Sequence, residues 1–288
     1  MIHYELVSMF TATPYAGSPL AVVPHATTLS EQDMLAAATA IGADESVFVL
    51  PASAPEATYR VRVFTPLGES AGGGHSCVGT AATLVRIGLV PPGRLVQECG
   101  TARHILDAQA DRATFTASGH PADHPLAAGA LLAAVGLTRK DQAGEPHATG
   151  FGTPFAFLPV RPEALATARP DFPRMTDDGL PALCLLHWSP TARTARTRLF
   201  APGFGIAEDP ACAPVAGALG LWLAHTGLLP ARDGTHPYTL LQGIEAGRPA
   251  RLECALTVHN GRPEQCAVTG RVAPTARGTL ADTAQPTT

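Results

Sequence analysis

The first part of the chain carries the apolar patterns of several short strands and one helix. Residues 59–64 alternate, with apolar side chains on one face and Arg60 and Arg62 on the other, which is typical of a half-buried strand. Ser30 precedes an acidic first turn and predicts the N-cap of a helix. Short apolar runs bounded by turn residues predict further strands, at 4–10, 20–23 and 47–50.

Two later stretches are apolar on nearly every side, which predicts helices that are buried in a core. They cover residues 76–87 and 215–224. Each is followed by a Gly-Leu pair, and the two glycines, Gly88 and Gly227, lie 139 residues apart. A Phe-x-Pro sequence precedes both helices. This repetition indicates an internal duplication of one α/β unit.

The repeat sets the expected domain boundaries. We expect an N-terminal lobe over 1–117 and a C-terminal lobe over 118–273, whose last strand can return to the N-terminal lobe. Residues 274–288 are polar and poor in apolar side chains, which predicts a disordered tail.

Composition excludes several classes of protein. The chain has 288 residues, of which 45% are hydrophobic and 15% charged, which is unlike a disordered protein or a coiled coil. A formal net charge of −4 gives no reason to expect nucleic acid or an anionic membrane as a partner. The N-terminus lacks the pattern of a signal peptide, and the six cysteines are scattered singly, so we expect a cytoplasmic protein with reduced thiols.

The sequence shows no motif for a metal or a cofactor. His120 and His124 have the i, i+4 spacing of metal ligands, but prolines flank them and no acidic cluster is near in sequence. Phosphate-binding and dinucleotide-binding glycine motifs are absent from the sequence. We therefore expect neither a metal nor a cofactor.

Five motifs in order resemble one known family, the PhzF-like isomerases, which share the diaminopimelate epimerase fold. The resemblance covers most of the chain. The motifs are F-T with G-S-P-L-A-V-V at 10–23, E-S-V-F-V at 45–49, F-T-P with E and G-H at 64–75, E-D-P-A at 208–211, and Q-G-I-E-A-G-R-P at 242–249.

The resemblance implies an α+β fold of two pseudo-repeated lobes, each a curved sheet around a central helix, with the active site in the cleft between the lobes. The N-termini of the central helices would then bind an anion, which suits a small carboxylate substrate. Members of the family are commonly homodimers, so the resemblance makes a homodimer possible, but neither composition nor pattern decides the oligomeric state.

Glu45 is the main catalytic candidate. A carboxylate beside the apolar run 47–50 is expected to be partly desolvated, which favours a group that holds a proton at neutral pH. By resemblance Glu45 is the general acid/base, and His75 and Asp209 match the family's other two polar site residues. Without that resemblance, Glu45 is more readily interpreted as a surface carboxylate. For His75 the alternative is a structural histidine, but its position after three glycines and before a buried helix favours a functional role.

The first helix motif supplies the expected substrate-binding groups. The backbone N–H groups of Gly73 and Gly74 would lie close to a bound carboxylate, because glycine allows close approach. Ser18 stands where the family has asparagine, and Ser76-Cys77 replaces Pro-Thr. These departures predict a substrate different from that of the phenazine enzyme.

The second helix motif departs further. Cys212, Ala213 and Pro214 stand where the resembled family has Thr-Gly-Ser, and Pro214 removes one N–H donor from the expected anion site. We expect Cys212 and Ala213 to contact the substrate. In related epimerases a cysteine at this position is one of two bases, but the matching position in the first repeat is Gly73. Cys212 is therefore either a small buried thiol or a group that assists the site.

Together these observations predict a cofactor-independent isomerase of natural-product biosynthesis. It would shift a proton and a double bond in a small amino-acid-derived carboxylate, of the 4-alkyl-L-proline type or the phenazine type, with the former favoured narrowly. Two alternatives stay open: an amino-acid racemase or epimerase that uses Cys212, and a non-catalytic family member that binds a small acid.

Overall fold

The computed structural model of the protein describes residues 1–65, 68–70 and 74–281. The chain folds into two compact units. Unit 1 is Met1–Phe115 together with the chain from Gly270 onward, and unit 2 is Thr116–Thr269. Within the described ranges, no helix is both long and apolar enough to cross a membrane. The fold is mixed and rich in sheet, with few helices.

Unit 1 consists of short strands with two helices. The strand β2 pairs in parallel with β3, and β4 with β6, while the remaining neighbours pair antiparallel. The elements are β1 (Ile2–Met9), β2 (Ser18–Val23), α1 (Glu31–Ile41), β3 (Glu45–Leu50), β4 (Tyr59–Thr65), β5 (Gly68–Ser70), α2 (Cys77–Arg86), β6 (Gly93–Cys99), β7 (Ala102–Gln109) and β8 (Arg112–Ser118), which crosses into unit 2.

Unit 2 contains more helices between similar strands. Its elements are β9 (Pro121–Pro125), α3 (Ala128–Ala134), β10 (His147–Phe151), β11 (Phe155–Pro159), α4 (Pro162–Thr167), α5 (Phe172–Asp177), β12 (Leu183–Ser189), β13 (Thr194–Ala201), a 3-10 turn (Pro202–Phe204), β14 (Ile206–Asp209), α6 (Ala213–His225), β15 (Gly234–Gln242), β16 (Ala250–His259) and β17 (Arg262–Leu280), whose residues from Gly270 onward belong to unit 1.

The two units repeat one pairing scheme. In unit 2, β10 to β13 pair as β1 to β4 do in unit 1, with β11 and β12 parallel. A short strand then pairs back antiparallel before the buried helix, β14 in unit 2 and β5 in unit 1. The strand after the buried helix then pairs in parallel with the long strand of the preceding hairpin: β15 pairs with β13, and β6 pairs with β4. The predicted duplication is therefore present in the strand pairing.

The two buried helices end in the same way. Leu89 N–H donates to Leu84 O at 2.9 Å, and Leu228 N–H donates to Leu223 O at 2.8 Å. Between them, Gly88 and Gly227 have φ values of +77° and +73°, the left-handed conformation that glycine adopts without a steric penalty. The repeated Gly-Leu pair is thus a repeated helix C-cap.

The sequence-predicted elements of unit 1 are confirmed with shifts of a few residues. α1 begins where Ser30 predicts it, because the Ser30 side chain accepts from Asp33 N–H and Asp33 in turn accepts from Ser30 N–H. The predicted buried helix at 76–87 is α2, and the one at 215–224 is the longer α6.

The expectation of disorder from residue 274 is wrong for 274–280. These residues continue β17, and residues 272–280 pair antiparallel with β1 in unit 1. The first part of the same strand, 262–269, pairs with β16 in unit 2. Backbone pairing stabilises this segment, which explains why its polar side chains did not reveal a strand. Residues 282–288 lie outside the described residues.

Candidate active site

Ser18 and His75 meet at the beginning of α2. The Ser18 Oγ lies 3.1 Å from His75 Nε2. Ser18 is the first residue of β2 and is buried, and His75 comes two residues before the start of the helix. The serine that replaces the family's asparagine therefore holds the imidazole at the N-terminal end of α2.

Glu45 lies on the sheet face that packs against the same helix. It begins β3, and only 8% of the residue is exposed. Glu45 is paired with Leu20 in the parallel β2–β3 register, and paired residues share a face of the sheet. Leu20 contacts α2, because a Cβ built at Gly79 would lie 2.6 Å from Leu20 Cδ2. Ser18, two residues before Leu20, shares this face. Ser18, Glu45 and His75 are thus brought to one region of unit 1.

Buried side chains surround Glu45. Burial raises the pKa of the Cys77 thiol well above its usual range, and the nearby Glu45 carboxylate raises it further. The Cys77 Sγ–H donates to Gly74 O at 3.1 Å. Burial likewise raises the pKa of the Tyr59 hydroxyl, which lies close enough to Cys77 to be affected by its charge. Such an environment suits a carboxyl group that gains and loses a proton during turnover.

The other predicted site residues lie at the beginning of α6 in unit 2. Asp209 ends β14, is 4% exposed, and accepts a 2.9 Å hydrogen bond from Ala211 N–H through its Oδ1. Cys212 occupies the N-cap of α6, and Ala213 is its first residue; both are buried. Three predicted residues therefore fall within one strand-to-helix turn.

The late Q-G motif supports this turn. Gln242 Nε2 donates to the backbone carbonyl of Asp209 at 2.6 Å. Gly243 has a φ of +74°, and a Cβ there would clash with Arg248 O and would lie 2.8 Å from Pro210 O. Only a residue without a side chain fits this close backbone approach.

An arginine-glutamate pair stabilises the short strand before each of the two buried helices, α2 and α6. In unit 2, Arg198 Nε and Nη2 donate to the two carboxylate oxygens of Glu208 at 2.9 and 2.7 Å. In unit 1, Arg62 Nε donates to Glu69 Oε1 at 2.7 Å, and its Nη2 donates to the other oxygen. Each guanidinium also lies over the ring of the phenylalanine two residues later in the strand. This second repeated contact holds β14, which ends at Asp209, and β5, the last described strand before His75.

A family comparison matches these motifs. The sequence profile of the PhzC-PhzF family, described as phenazine biosynthesis-like protein, matches residues 7–278. The chain belongs to this family. The resemblance drawn from the sequence motifs is confirmed.

Curated relatives of this PhzC-PhzF protein are named isomerases. An uncharacterized isomerase from Mesorhizobium japonicum is 31% identical over 301 residues, which cover 96% of this chain and 98% of the relative. The trans-2,3-dihydro-3-hydroxyanthranilate isomerase of Pseudomonas aeruginosa is 30% identical over 283 residues, with 96% and 99% covered. The chain is accordingly an isomerase, as the sequence analysis expected.

Solved structures agree on the fold. A phenazine biosynthesis protein of the PhzF family from Bacillus anthracis superposes with a TM-score of 0.85 at 21% identity, covering 97% of this chain and 99% of that one. A probable proline racemase from Agrobacterium radiobacter superposes with a TM-score of 0.64 at 15% identity, covering 100% and 94%. These neighbours are consistent with an epimerase-like fold. The finer architecture, a curved sheet around one helix in each lobe, stays a prediction.

Two residues beside the helix starts complete the description of the PhzC-PhzF motifs: Pro214, which lies where the sequence predicts it, and Ser76, which the motifs did not single out. Pro214 is the second residue of α6, so its missing N–H lies in the first turn, as predicted. The Ser76 Oγ, next to His75, is buried and has no hydrogen-bond partner among the described residues. Buried hydroxyls are normally satisfied, so Ser76 is an unusual buried polar group beside His75 that the sequence motifs did not single out. Gly73 lies outside the described residues.

Proposed function

We propose that this PhzC-PhzF protein moves a proton, and with it a double bond, in a small amino-acid-derived carboxylate without a cofactor. The observation that carries the proposal is the buried Glu45 carboxyl group on the sheet face against α2. A buried, partly desolvated carboxyl group is suited to both giving and taking a proton.

Glu45 acts as the single acid/base. Its carboxylate removes a proton from an sp3 carbon next to the substrate double bond, and the electron pair of that C–H bond forms the new double bond. The electrons of the old double bond take up a proton from Glu45 at the far carbon. The carbon skeleton is neither oxidised nor reduced, and Glu45 ends as it began, so the step needs no further reactant.

The other predicted residues support this step. His75, held by Ser18, hydrogen-bonds the substrate or relays the proton. Asp209 accepts a hydrogen bond from a substrate amine. Each unit offers a candidate binding site for a substrate carboxylate, since a helix N-terminus attracts anions. In unit 1 the site is at the N–H groups of Gly73 and Gly74, and in unit 2 it is at Cys212 and Ala213, where α6 begins.

Two substrate classes are proposed. The Pseudomonas aeruginosa relative is named for trans-2,3-dihydro-3-hydroxyanthranilate, which is itself a small cyclic amino carboxylate. The altered α6 turn, with Cys212, Ala213 and Pro214, changes both the space and the donors there. This favours a cyclic amino acid of the 4-alkyl-L-proline type over the relative's own substrate.

The test is proton exchange in D2O, followed by NMR. The purified protein is mixed with each of a panel of conjugated cyclic amino acids and with trans-2,3-dihydro-3-hydroxyanthranilate. We expect deuterium at the carbon allylic to the shifted double bond with at least one of these compounds. Glu45→Gln should lower the rate at least about 100-fold, because loss of a general acid/base typically costs that much.

Glu98→Gln is the matched control. Glu98 is another buried carboxyl group of unit 1, and its Oε2 accepts from Ser53 N–H and Oγ–H, so it lies in a structural contact. This variant should keep turnover. Full exchange by Glu45→Gln would remove Glu45 from the mechanism. Exchange at Cα alone, lost in Cys212→Ala, would favour the racemase alternative, and tight binding without exchange would favour a binding protein.

A further inference from the structure

Three ionisable side chains cluster in unit 2 at the opposite end of α6 from Cys212. They are Asp123 on β9, His147 on β10 and His225, the last residue of α6. One ligand atom from each lies within 4.8 Å of the other two. The 13-residue helix spans about 18 Å, so this cluster is separate from the Asp209 turn.

The strand register explains why these residues meet. Asp123 pairs with Thr149 and Pro125 pairs with His147, so Asp123 and His147 are diagonal neighbours on one face of the β9–β10 ladder. That face packs on α6, because Thr149 Oγ1 donates to Ala218 O at 3.1 Å. His225 lies two turns further along the helix than Ala218. The ladder and the helix therefore converge on Asp123.

The distances are close to those of a metal site. His147 Nδ1 lies 3.1 Å from Asp123 Oδ1, and His225 Nε2 lies 3.2 Å from Asp123 Oδ2. In a tetrahedral zinc site with bonds of about 2.0–2.1 Å, neighbouring ligand atoms are about 3.3–3.4 Å apart. The two imidazole rings are tilted, not stacked, with centroids 5.0 Å apart. Small side-chain rotations would turn both nitrogens and the carboxylate toward one ion.

The chemistry of the set fits a divalent transition metal. We propose that Asp123, His147 and His225 form a binding site for zinc or a similar first-row divalent ion. Two imidazoles and one carboxylate are ligands that such ions prefer, and they are not the all-oxygen set of Mg²⁺ or Ca²⁺. A cation is also favoured at the C-terminal end of a helix, where His225 lies.

A metal ion can reach the proposed site from solvent, and its binding would stabilise this part of unit 2. The His225 side chain is half exposed, whereas His147 is mostly buried, so an ion can enter from solvent and still be held by an ordered ligand. Bound metal ties β9 and β10 to the end of α6. Three protein ligands leave a fourth position for water.

The test uses the full-length protein after treatment with a chelator, titrated with Co²⁺ and then Zn²⁺. We expect one Co²⁺ per chain, visible absorption bands of a low-symmetry site, and their loss when Zn²⁺ displaces Co²⁺. Zn²⁺ should raise the melting temperature of the wild type, because a ligand that binds only the native state stabilises it. Asp123→Asn and His225→Gln should each weaken Zn²⁺ binding at least tenfold and remove the shift in melting temperature.

Two matched variants distinguish this site from other histidines. His124→Gln changes an exposed histidine on the same strand as Asp123, and His75→Gln changes the histidine of the proposed isomerase site. Both should keep Zn²⁺ affinity within twofold of the wild type. Zn²⁺ affinity unchanged in folded Asp123→Asn and His225→Gln, or no Co²⁺ uptake by the wild type at micromolar concentration, would overturn the proposal. Neither result would affect the isomerase test.

Discussion

Cys212 differs from the other five cysteines in its position. All six side chains are buried, and the other five cysteines, Cys77, Cys99, Cys184, Cys254 and Cys266, keep at most 4% of their surface exposed. Burial raises the pKa of these five thiols. Since a thiolate is the reactive form, these five should be inert at neutral pH. Cys212 lies at a helix N-cap and keeps 8% of its surface exposed.

We therefore expect iodoacetamide at pH 8 to modify Cys212 before any other cysteine of the native protein. Peptide mapping by mass spectrometry after short exposures checks this order. The unfolded protein, in which all six thiols react, is the control. Earlier modification of any of the other five would show that its surroundings open more readily than the structure indicates.

The Arg62–Glu69 contact predicts a pH dependence. Hydrogen bonds from Arg62 lower the pKa of Glu69 below its ordinary value of 4.5. The folded state therefore holds this proton less tightly than the unfolded state. The stability that the contact contributes is fully present above pH 4.5 and is lost as the pH falls through the lowered pKa.

Glu69→Gln should lower the free energy of unfolding at pH 7 by less than about 1 kcal/mol, because the pair is partly exposed to solvent. The difference from the wild type should shrink toward zero as the pH falls to 3. Urea unfolding at the two pH values measures it, with the exposed Glu264→Gln as the control. A difference that grows at low pH would contradict this assignment of the contact.

At the residue level, the sequence indicates functional residues that lie within recognisable motifs. It does not indicate residues that are distant in the sequence and meet only in the folded protein. Ser18 and His75 were named separately, and their 3.1 Å contact follows from the position of β2 beside α2. Asp123 and His225 are 102 residues apart in the sequence, so no local spacing could indicate them. The catalytic roles of Glu45, His75 and Asp209 stay predictions.

The turn before α6 is built around a glycine that the late motif contains. Gly243 and Gly247 both have positive φ, +74° and +70°, but only Gly243 is crowded by the backbone of Pro210 and Arg248. A Cβ at Gly247 would meet nothing within 4 Å. Comparing substitutions at the two glycines therefore separates the cost of a left-handed backbone conformation from the cost of a steric clash with neighbouring backbone.

Gly247→Ala should cost about 1–2 kcal/mol in the free energy of unfolding, the usual strain of a left-handed non-glycine residue. Gly243→Ala should cost about 2 kcal/mol more, because the backbone must also move away from the new Cβ. Urea unfolding of the two variants measures the difference. Equal losses would mean that the Asp209 turn yields without strain.

Elements with local signals were predicted well. A few neighbouring residues are enough to predict the serine N-cap of α1, the glycine C-caps of α2 and α6, and the apolar character of these two buried helices. The sequence predicts a disordered tail from residue 274, where β17 in fact continues, because the last residues of this strand alternate little and have mostly polar and small side chains. Their partner is β1, at the other end of the chain, and only the fold brings it there.

At the scale of the molecule, β17 completes unit 1 from the far end of the chain. Removal of residues 270–288 would leave the edge of β1 without the partner that pairs from Ile2 to Met9. An exposed edge strand invites aggregation. We expect this truncated protein to be insoluble or to lose the cooperative unfolding transition of unit 1, as followed by circular dichroism during urea unfolding.

Truncation after residue 281 is the control, because it keeps every strand that the structure describes. This shorter deletion should unfold with the same midpoint as the full chain. A soluble protein with normal unfolding after removal of 270–288 would show that the β1–β17 pairing contributes little.

The path of β17 also has a consequence for biosynthesis on the ribosome. Unit 2 is one continuous segment, Thr116–Thr269, whereas unit 1 also needs residues of β17 that are translated after unit 2. N-terminal domains usually fold first as they emerge. Here the order is reversed: the second half of the nascent chain can fold while the first half waits, partly open, for its final strand. The newly made protein is thus most exposed to chaperones and proteases through its N-terminal half, until β17 has been translated.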